Sequence, residues 1–444
     1  MKILLIQPPI QDFYRTRFRE YPLGLLYLAS ELEKKSHQVS ILDARRIKKP
    51  KKIDFPIQLA YLKKYFNANS LLFRHYYHFG LTYEEIAKIA QEYKPDIVGL
   101  TSNFTPYYLE VINTARAIKK AAPYAKIIVG GHHATADPDS LAAEEAIDCV
   151  ILGEAEFALP QAIEQTTLPK IYAGAKDLEV HALDKISKPA RHLLNPAHYL
   201  YHKHFYSMLL TSRGCPHACK FCSAQSLSGH KYRVHSVDYV LNEVEELIAK
   251  FKIGVIDIQD DNFLFNQDRA KELLAKLIAK TRKNNIELLA SNGLNVAHLD
   301  KELLNLMKQV GFKKIDVALP TASASHQSIL GRPETLTQYE SMLDCASSAG
   351  IEVNTNIIIG IPFQPLAEMK ATVEYLQSKP TLISPSIFYN VPGMPIYEEM
   401  KKYEYTNHHL ARRSSAFNNW GQDFVREDII KLFAKIREMN LKLI

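Results

Sequence analysis

Runs of apolar residues alternate with amphipathic stretches along the first third of the chain. The apolar runs are rich in Val, Ile and Leu and occur at residues 2–7, 38–44, 96–102, 126–131 and 148–156. Helical patterns, among them 24–35 and 107–120, separate these runs. Apolar strands that alternate with helices are typical of a parallel sheet covered on both faces. We therefore predict a doubly wound, Rossmann-like α/β domain over residues 1–165, with a helical insertion at 47–93.

The same rhythm of strands and helices returns after a linker at residues 166–204. Predicted strands lie at residues 207–211, 254–258, 286–290, 314–318, 352–359 and 383–389. Helical patterns between them lie at residues 237–250, 267–284, 301–311, 336–350 and 365–379. These repeats predict a second α/β domain over residues 205–400. An amphipathic pattern at 427–441 predicts a final helix in a helical C-terminal segment, 401–444. For this segment, which includes Trp420, we favour core packing over the alternative of a cap on the barrel that selects the substrate.

Composition and charge narrow the class of protein. The chain has 444 residues, of which 47% are hydrophobic and 23% charged, with a formal net charge of +7. These values are typical of a globular protein with two or three domains. The densest basic run, 45–52, contains no aromatic residues, so we interpret it as a solvated loop and predict no nucleic-acid partner. No apolar run approaches the about 18 residues that span a bilayer, which predicts no transmembrane segment.

Three of the five cysteines lie in one short segment. Cys215, Cys219 and Cys222 leave three and then two residues between their thiols, so one loop can direct all three sulfur atoms to one point. Three thiolates suit an iron–sulfur cluster in which one iron has no protein ligand. We interpret the segment as a metal-binding loop with one iron open to chemistry.

Three other interpretations of these cysteines stay open. A zinc site needs a fourth ligand, for which His217 inside the loop is a candidate. A disulfide would leave one thiol over, and nothing marks the chain as secreted. Inert buried cysteines would occupy periodic apolar positions instead of a Gly-Cys-Pro turn. The spacing favours the cluster over each of these alternatives.

The segment TSRGCPHACKFC, residues 211–222, resembles the cluster loop of radical S-adenosylmethionine (SAM) enzymes. Their pattern is CxxxCxxC with an aromatic residue before the last cysteine, which is the place of Phe221. The resemblance implies a partial (β/α)6 barrel, a [4Fe–4S] cluster and SAM as cofactors, and hydrogen abstraction by a 5′-deoxyadenosyl radical. It also implies an electron donor such as flavodoxin or ferredoxin. An oxygen-sensitive cluster and the lack of an export signal predict a cytoplasmic location.

Small and polar residues follow the predicted amino-terminal strands. A doubly wound fold binds its ligand at the carboxyl ends of its strands. Glycine lets a ligand approach the backbone, and hydroxyl and carboxylate groups offer hydrogen bonds. The candidate ligand-binding residues are Thr101, Ser102, Gly130, Gly131, His132, Thr135, Gly153, Glu154 and Glu156. Strand ends with small and polar residues occur in any doubly wound domain, so by themselves they do not identify a ligand.

The order of these segments resembles the cobalamin-binding domain that precedes many radical SAM domains. The segments that carry the likeness are residues 8–9, 22–29, 78–86, 130–138 and 153–156. The resemblance implies that the candidate residues bind cobalamin. The chain departs from the family pattern at Ala155, where glycine is usual, and it has no DxHxxG motif, so we predict no protein histidine on the lower face of cobalt. His132 and His133 are predicted to pack in the loop or to bond the edge of the corrin ring.

Further residues at strand ends resemble the SAM-binding positions of radical SAM enzymes. The resemblance assigns cofactor contacts to Phe221 in the cluster loop and to Asp260, Asp261, Asn292, Asn354 and Asn356. Helix capping is an alternative role for the two aspartates. Both Asn354 and Asn356 alternate with apolar neighbours, so they point into the barrel, where a ligand would satisfy their polar groups. Relatives often carry Glu-Ser-Gly after the fourth strand, where this chain has Pro320-Thr321-Ala322.

Together these patterns predict a cobalamin-dependent radical SAM enzyme. Within that class we predict a methyltransferase that acts on an unactivated carbon of a small molecule or biosynthetic intermediate. Two alternatives are cobalamin used without methyl transfer, in a rearrangement or a redox role, and a structural iron–sulfur interaction module. A methylthiotransferase is disfavoured because it needs three more cysteines ahead of the barrel, where this chain has only Cys149. The sequence identifies neither a catalytic acid or base nor the substrate.

Overall fold

The computed structural model describes residues 1–15, 21–46, 49–65, 75–174, 183–332, 334–403, 409–419 and 421–442. Two α/β units follow each other along the chain. Trp420, which the sequence analysis assigned to core packing, lies outside the described residues.

The amino-terminal unit is built from short strands and the helices that connect them. Its strands are β1 (Lys2–Gln7), β2 (Ile10–Asp12), β3 (Gln38–Asp43), β4 (Lys51–Ile53), β5 (Tyr76–Phe79), β6 (Ile97–Thr101), β7 (Lys126–Gly130), β8 (Cys149–Leu152) and β9 (Ile171–Ala173). Its α-helices are α1 (Leu23–Lys34), α2 (Tyr83–Tyr93), α3 (Tyr108–Ala121), α4 (His132–Ala136), α5 (Asp139–Ala142) and α6 (Ala155–Ala162). Six of the strands form a parallel sheet in the order β3-β1-β6-β7-β8-β9.

The central strands of this sheet are buried on both faces, as their apolar sequences predict. Along β1, Ile3 and Leu5 pack with α1 on one face, while Leu4 and Ile6 pack with α2 and α3 on the other. The close packing is visible at Gly99 in β6, where an added Cβ would lie 2.6 Å from a methyl carbon of Leu5. The structure therefore confirms the doubly wound amino-terminal fold.

The insertion at 47–93 differs from the helical prediction. Strand β5 pairs with both β2 and β4 in a three-stranded antiparallel sheet of order β2-β5-β4, and a 3₁₀ helix (Ile57–Tyr65) lies between β4 and β5 in the chain. Only α2 is a regular α-helix among the described residues of this segment. Tyr76 in β5 packs edge-on against Phe13, 5.2 Å between ring centroids, and both rings join the core of the second unit. Contacts with distant aromatic residues thus override the local helical pattern.

The carboxy-terminal unit begins with a short antiparallel strand and then alternates strands with helices. Its strands are β10 (Leu200–Tyr201), β11 (His204–Leu209), β12 (Ser212–Arg213), β13 (Arg233–Val234), β14 (Val255–Ile258), β15 (Glu287–Leu289), β16 (Leu294–Asn295), β17 (Lys314–Ala318), β18 (Glu352–Ile359) and β19 (Leu382–Ile387). Its helices are α7 (Gln225–Ser228), α8 (Val237–Ala249), α9 (Gln267–Lys283), α10 (Lys301–Val310), α11 (Ala324–Ile329), α12 (Leu336–Ala349), α13 (Leu366–Gln377), α14 (Tyr397–Met400) and α15 (Arg426–Leu441).

Six strands of this unit form a partial barrel. β11, β14 and β15 are parallel neighbours in one sheet, and β17, β18 and β19 are parallel neighbours in another. A parallel bridge between Leu288 and Phe312 joins the two sheets next to Gly311, where an added Cβ would lie 2.3 Å from the Ile286 carbonyl oxygen. Gly311 has φ +119°, which ends α10 and lets the chain enter β17. The predicted (β/α)6 arrangement is confirmed.

The last described segment packs on the barrel. Helix α15 lies against α13 and β19, with Ile429 and Ile436 fully buried. Asn440 at its end bonds the backbone of Ile383 in β19, at 3.0 Å from the Ile383 nitrogen. None of the helices in the described parts of the chain is long and apolar enough to cross a membrane.

Candidate active site

The three clustered cysteines lie on a loop between β12 and α7. Gly214 has φ +82°, and a Cβ there would lie 2.3 Å from the Lys231 carbonyl oxygen, so only glycine lets the loop lie this close to the segment before β13. Cys219 is buried, whereas Cys215 and Cys222 are half-buried. Burial raises the pKa of Cys222 to about 11, and the neighbouring Cys219 and Cys215 add to this shift. The three thiols therefore lie close enough to interact.

Each sulfur atom of the loop has a nitrogen donor beside it. The Ala224 amide lies 3.5 Å from Cys222 Sγ, and Asn262 Nδ2 lies 3.6 Å from Cys215 Sγ. Arg332 Nη1 lies 3.8 Å from Cys219 Sγ. Hydrogen bonds to sulfur stabilise a metal-bound thiolate and tune the potential of an iron–sulfur cluster. The donor set of three soft sulfur atoms thus fits such a cluster.

His217, the candidate fourth ligand of a zinc site, is engaged elsewhere. Its ring lies 6.1 Å from Phe265 and 5.9 Å from His298, and its Nε2 lies 3.4 Å from Asn295 Nδ2. Within the described ranges, no three His, Cys, Asp or Glu side chains are grouped as a site for one metal ion. These contacts of the ring disfavour His217 as the fourth ligand of a zinc site.

Phe221 packs inside the protein. It lies against a buried apolar cluster that includes Leu330, Ile361 and Phe388. This packing holds the carboxyl end of the cysteine loop against the barrel, next to Cys222.

A cavity with a volume of about 280 Å³ lies where the two units meet. It opens at the carboxyl ends of β1, β6, β7 and β8, the edge at which a doubly wound sheet binds its ligand. Residues of α1 form one wall, and Leu210, Arg213, Gln259 and Asp261 of the second unit form another. The cysteine loop begins directly after Arg213, so the cavity and the loop are neighbours.

The cavity walls fit a large ligand with a flat apolar body. Gly24 and Gly153 line the cavity, and an added Cβ at either would have no atom within 4 Å, so both leave room for a ligand. Tyr27 is fully buried and also lines the cavity, and its hydroxyl has no hydrogen-bond partner among the described residues. Apolar walls with a few polar groups are typical of cofactor sites. A corrin ring with its amide edge is compatible with these walls, and an unpartnered hydroxyl is a donor for such an edge.

A buried group of charges joins the two units beside the cavity. Arg213 Nη2 lies 2.6 Å from Glu156 Oε1, and its Nη1 lies 3.5 Å from Glu154 Oε2. Arg233 also binds Glu154, with Nη1 at 2.8 Å from Oε2. Burial alone would raise the pKa of Glu156, but the Arg213 guanidinium outweighs it and lowers that pKa below its ordinary value. Two arginines of the second unit thus neutralise two glutamates of the first.

The structure brings most of the predicted cobalamin residues together. The predicted residues that line the cavity are Thr101, Gly130, Gly131, Gly153, Glu154 and Glu156. The other three predicted residues lie behind this wall. Ser102 is buried, and Thr135 Oγ1 accepts a hydrogen bond from the Gly153 amide at 3.0 Å. His132 Nε2 lies 2.7 Å from the Ser223 carbonyl oxygen. His132 therefore connects the first unit to the cysteine loop.

His133 packs inside the first unit, as one of its predicted roles requires. Its Nδ1 lies 3.1 Å from Thr105 Oγ1 and its Nε2 lies 3.2 Å from Ser140 Oγ. Burial lowers the pKa of His133 to about 3, so the ring is neutral at pH 7.

Sequence reasoning missed several residues that line the cavity. They are Leu5, Tyr27, Gly99, Arg213 and Gln259. Tyr27 and Gly24 lie in the segment 22–29, which resembles the cobalamin-binding family but does not by itself mark either residue as a ligand contact. Arg213 carried no signal by itself, because its partners lie 57 and 59 residues earlier in the chain.

The two neighbouring aspartates after β14 have separate tasks. Asp260 is buried and accepts bonds from the Thr211 amide at 2.7 Å and from the Ser212 hydroxyl at 2.6 Å, so its oxygens hold the strand before the cysteine loop. Asp261 lines the cavity and accepts a bond from the Gly214 amide at 3.0 Å. The helix-capping alternative is wrong for both, because Asn266 caps α9 through the Arg269 amide.

The predicted asparagines occupy different environments. Asn292 is exposed, and its Nδ2 donates to the Asp260 carbonyl oxygen at 3.0 Å. Asn354 in β18 bonds Asp316 and Ser384 on the two neighbouring strands, so protein side chains satisfy it where the sequence analysis expected a ligand. Asn356 is half-buried on the same face of β18.

A carboxylate from α13 lies beside the segment that replaces Glu-Ser-Gly. The Thr321 hydroxyl donates to Glu368, and Thr372 Oγ1 donates to the same carboxylate oxygen at 3.1 Å. Thr321 is fully buried, and the other Glu368 oxygen is buried without a partner in the described chain. The fourth strand therefore ends next to a carboxyl group supplied by a helix.

Both halves of the chain match known families. Residues 15–163 match the B12 binding domain and residues 209–376 match the Radical SAM superfamily. An uncharacterized methyltransferase of Pyrococcus horikoshii, PH0819, is 26% identical over 84% of this chain and 77% of its own length. The cytidylyl-2-hydroxyethylphosphonate methyltransferase of Streptomyces wedmorensis is 26% identical over 85% of this chain and 77% of its own length.

Solved structures share the fold. The radical SAM methyltransferase TsrM from Kitasatospora setae, with cobalamin and a [4Fe–4S] cluster bound, aligns with a TM-score of 0.65 at 17% identity over 90% of this chain and 78% of its own. The cobalamin-dependent radical enzyme OxsB aligns with a TM-score of 0.62 at 15% identity over 98% of this chain and 61% of its own. These likenesses show the order of a doubly wound domain followed by a partial barrel.

Proposed function

We propose that this chain, a radical SAM enzyme with an amino-terminal B12-binding domain, is a methyltransferase that acts on an unactivated carbon. The matches to the Radical SAM superfamily and the B12 binding domain confirm the family predicted from the cysteine loop and the strand ends. They also support the predicted cofactor set of a [4Fe–4S] cluster, SAM and cobalamin. The observation that carries the proposal is the shared cavity, whose walls come from the B12-binding domain and from residues that flank the cysteine loop.

The proposal assigns a set of residues to each cofactor. Cys215, Cys219 and Cys222 would hold the cluster, and the cavity between the domains, including Tyr27, would hold cobalamin. When bound, the cluster with SAM supplies one-electron radical chemistry, and cobalamin supplies a cobalt that carries a methyl group. We keep Asp261 as a candidate SAM contact, and we assign Asp260 to the support of the loop because its oxygens already accept three protein bonds.

The residues of the chain orient the two cofactor sites and exclude water. The buried contacts of Arg213 with Glu154 and Glu156 hold the wall of the cavity against the start of the cysteine loop. Asp261 connects the cavity with the cysteine loop, because it lines the cavity and accepts a hydrogen bond from the Gly214 amide. A short path between two cofactors favours group transfer because it replaces a bimolecular encounter with a fixed geometry.

The acceptor, the electron donor and the cellular location belong to the proposal as well. The named relatives act on different carbon compounds, among them hopanoids and a bacteriochlorophyllide, so we propose a small-molecule acceptor without naming it. A flavodoxin or ferredoxin would supply electrons, and a reducing cytoplasm would protect the cluster. We also keep the proposed boundaries of a cobalamin-binding domain at 1–165, a linker at 166–204, a radical SAM domain at 205–400 and a C-terminal segment at 401–444.

Anaerobic reconstitution tests this function. We expect a brown protein that binds hydroxocobalamin and releases 5′-deoxyadenosine with dithionite and SAM, and a Cys219→Ala variant that loses the cluster but still binds cobalamin. Transfer of label from methyl-labelled SAM to a carbon of the product distinguishes methylation from a rearrangement or a redox role. A stable cluster without any 5′-deoxyadenosine would support the structural module instead. A colourless protein with one zinc per chain would contradict the proposal.

A further inference from the structure

One histidine of the B12-binding domain reaches the cysteine loop of the radical SAM domain. His132 is the first residue of α4, and its Nε2 lies 2.7 Å from the Ser223 carbonyl oxygen and 3.3 Å from Ser226 Oγ. A carbonyl oxygen only accepts hydrogen bonds, so Nε2 carries a proton and donates it to the bond with Ser223. A single side chain thus joins the two domains at this place.

The two ends of this hydrogen bond adjoin the two proposed cofactor sites. Gly131, directly before His132, lines the cavity. Ser223 directly follows Cys222, and the Cys222 amide donates to the Cys219 carbonyl oxygen at 3.1 Å. A residue next to the cavity wall is therefore bonded to a residue next to a proposed cluster ligand.

Helix α7, which follows the cysteine loop, contacts both the cavity and α4. Leu227 and Ser228 of α7 line the cavity together with Gly131 of the first domain. Helices α4 and α7 pack on each other, and Gly393 fits closely beside them. A Cβ at Gly393 would lie 2.7 Å from Ser226 Oγ in α7 and 3.2 Å from a side-chain carbon of α4. A ligand that fills the cavity would consequently touch the segments on both sides of the interdomain hydrogen bond.

We propose that His132 is a positioning residue that couples the binding of cobalamin to the metal-binding arrangement of the cysteine loop. This inference rests on the proposed function, because it needs both cofactor sites. Cobalamin in the cavity would hold the walls at Gly131 and Leu227 together, which favours the hydrogen bond from His132 and fixes the segment next to Cys222. A ligand shifts an equilibrium only when it binds one state better, and here the bonded state offers it both walls. Coupling is reciprocal, so a cluster in the loop should tighten the binding of cobalamin by the same factor.

The affinity for cobalamin with and without the cluster tests this coupling. Equilibrium dialysis of hydroxocobalamin compares the anaerobically reconstituted protein with the cluster-free protein. The wild type should bind at least about fivefold more tightly with the cluster, and His132→Ala should reduce this ratio to less than about twofold. His132→Phe, which keeps a ring but has no donor, should behave like His132→Ala. His132→Gln, whose amide nitrogen can donate to Ser223, should restore a ratio above that of His132→Ala.

His37→Ala is the matched control. His37 lies in the turn before β3, at the amino end of the parallel sheet, whereas the cavity lies at the carboxyl ends of the strands. This variant should keep the wild-type ratio of affinities. A ratio that falls equally in His37→Ala and His132→Ala would contradict a specific role of His132.

A second readout uses the cluster-free protein alone. Alkylation of Cys222 by iodoacetamide, followed by peptide mass spectrometry, should slow at least about twofold when hydroxocobalamin saturates the wild type, because the coupled loop is held in place. In His132→Ala and His132→Phe, the rate should not respond to hydroxocobalamin. Simple shielding of the thiol by the bound ligand would instead persist in both variants and would exclude the coupling.

The remaining outcomes separate this inference from the proposed function. A wild-type affinity ratio near one would overturn the inference, and so would equal ratios in the wild type and His132→Phe. Weaker binding of hydroxocobalamin by His132→Phe with an unchanged ratio would make His132 a mere part of the cavity wall, which also contradicts the inference. If the wild type bound no hydroxocobalamin or assembled no cluster, the proposed function itself would fail.

Discussion

Two buried arginines tie distant segments of this chain together, yet the carboxylates beside them behave in opposite ways. Arg213 joins the radical SAM domain to the B12-binding domain and contacts Glu156. Arg413 joins the C-terminal segment to the B12-binding domain and lies near Glu110. Both arginines are buried, with 7% and 2% of their surface exposed. Burial alone therefore does not explain the difference.

The difference lies in direct contact between the opposite charges. Arg213 reaches Glu156 at 2.6 Å, whereas Arg413 binds the Gln11 and Pro106 carbonyl oxygens, each at 2.8 Å, and its nearest carboxylate is that of Asp12, at 3.7 Å. Glu110 accepts one bond from the Gln11 amide at 3.2 Å, and its second oxygen has no partner in the described chain. Burial consequently raises the pKa of Glu110 to about 7, while the pKa of Glu156 stays below its ordinary value.

The comparison of Glu156 with Glu110 shows which buried carboxylates stay ionised at neutral pH. A buried carboxylate stays ionised when a cation touches it, and it tends to become neutral when only backbone groups do. At the junction beside the cavity, the Arg213 guanidinium lowers the pKa of Glu156, so this carboxylate stays ionised at neutral pH. The contact of the C-terminal segment combines hydrogen bonds to backbone carbonyls and a buried pair of Arg413 with Asp12 at 3.7 Å with Glu110, a carboxylate whose pKa is about 7.

Removal of Arg213 is expected to give the largest effect. Arg213→Ala leaves Glu156 buried without its cation, and loss of one partner of a buried pair costs about 3–5 kcal/mol. Urea unfolding of the cluster-free chain at pH 7 measures this loss. Arg116→Ala, which breaks an exposed pair with Glu144, is the control and should cost less than about 1 kcal/mol. Equal effects of the two variants would break the comparison.

Glu110→Gln should change how stability depends on pH. The pKa of Glu110 rises from 4.5 to about 7 on folding, so the folded state holds the proton more tightly. The free energy of unfolding of the wild type therefore falls as pH rises from about 4.5 to about 7, by about 3 kcal/mol from this group, and then levels off. The variant should lack this fall. Unfolding at pH 5 and pH 8 measures it, and parallel curves for both proteins would contradict the raised pKa.

Glu156→Gln should show the reverse dependence. Because the pKa of Glu156 is lowered on folding, its contribution to stability is present above pH 4.5 and is lost as pH falls below that value. The variant should be less stable than the wild type at pH 7, and the gap should narrow in acid. A gap that widens as pH falls would show that Glu156 is not held as a carboxylate by Arg213.

Tyr27→Phe should have the smallest effect and separates folding from binding. The Tyr27 hydroxyl is buried without a partner, so its removal should leave the free energy of unfolding unchanged or raise it by about 1 kcal/mol. If this hydroxyl bonds the edge of cobalamin, the affinity for hydroxocobalamin should fall about fivefold, which corresponds to about 1 kcal/mol. Equilibrium dialysis measures the affinity. Unchanged binding would remove Tyr27 from the proposed site.

Elements with a local signal are predicted correctly from the sequence. The strands at 314–318 and 352–359 have their predicted bounds, because each apolar run is short and bounded by turns or helices. The prediction is wrong in the insertion, where β5 is held by pairing with β2 more than sixty residues earlier. The predicted ligand contact of Asn354 is replaced by hydrogen bonds to neighbouring strands. Contacts across the sheet leave no mark on the local pattern.

The sequence by itself determined the chemistry of the cysteine loop and the order of the two folds, because metal ligands four and three positions apart and alternating apolar runs are properties of neighbouring residues. Only the tertiary structure decided which side chains share the cavity and which carboxylates stay charged. Those properties depend on burial and on distances between residues such as Arg213 and Glu156, which are 57 positions apart in the chain and meet only after folding.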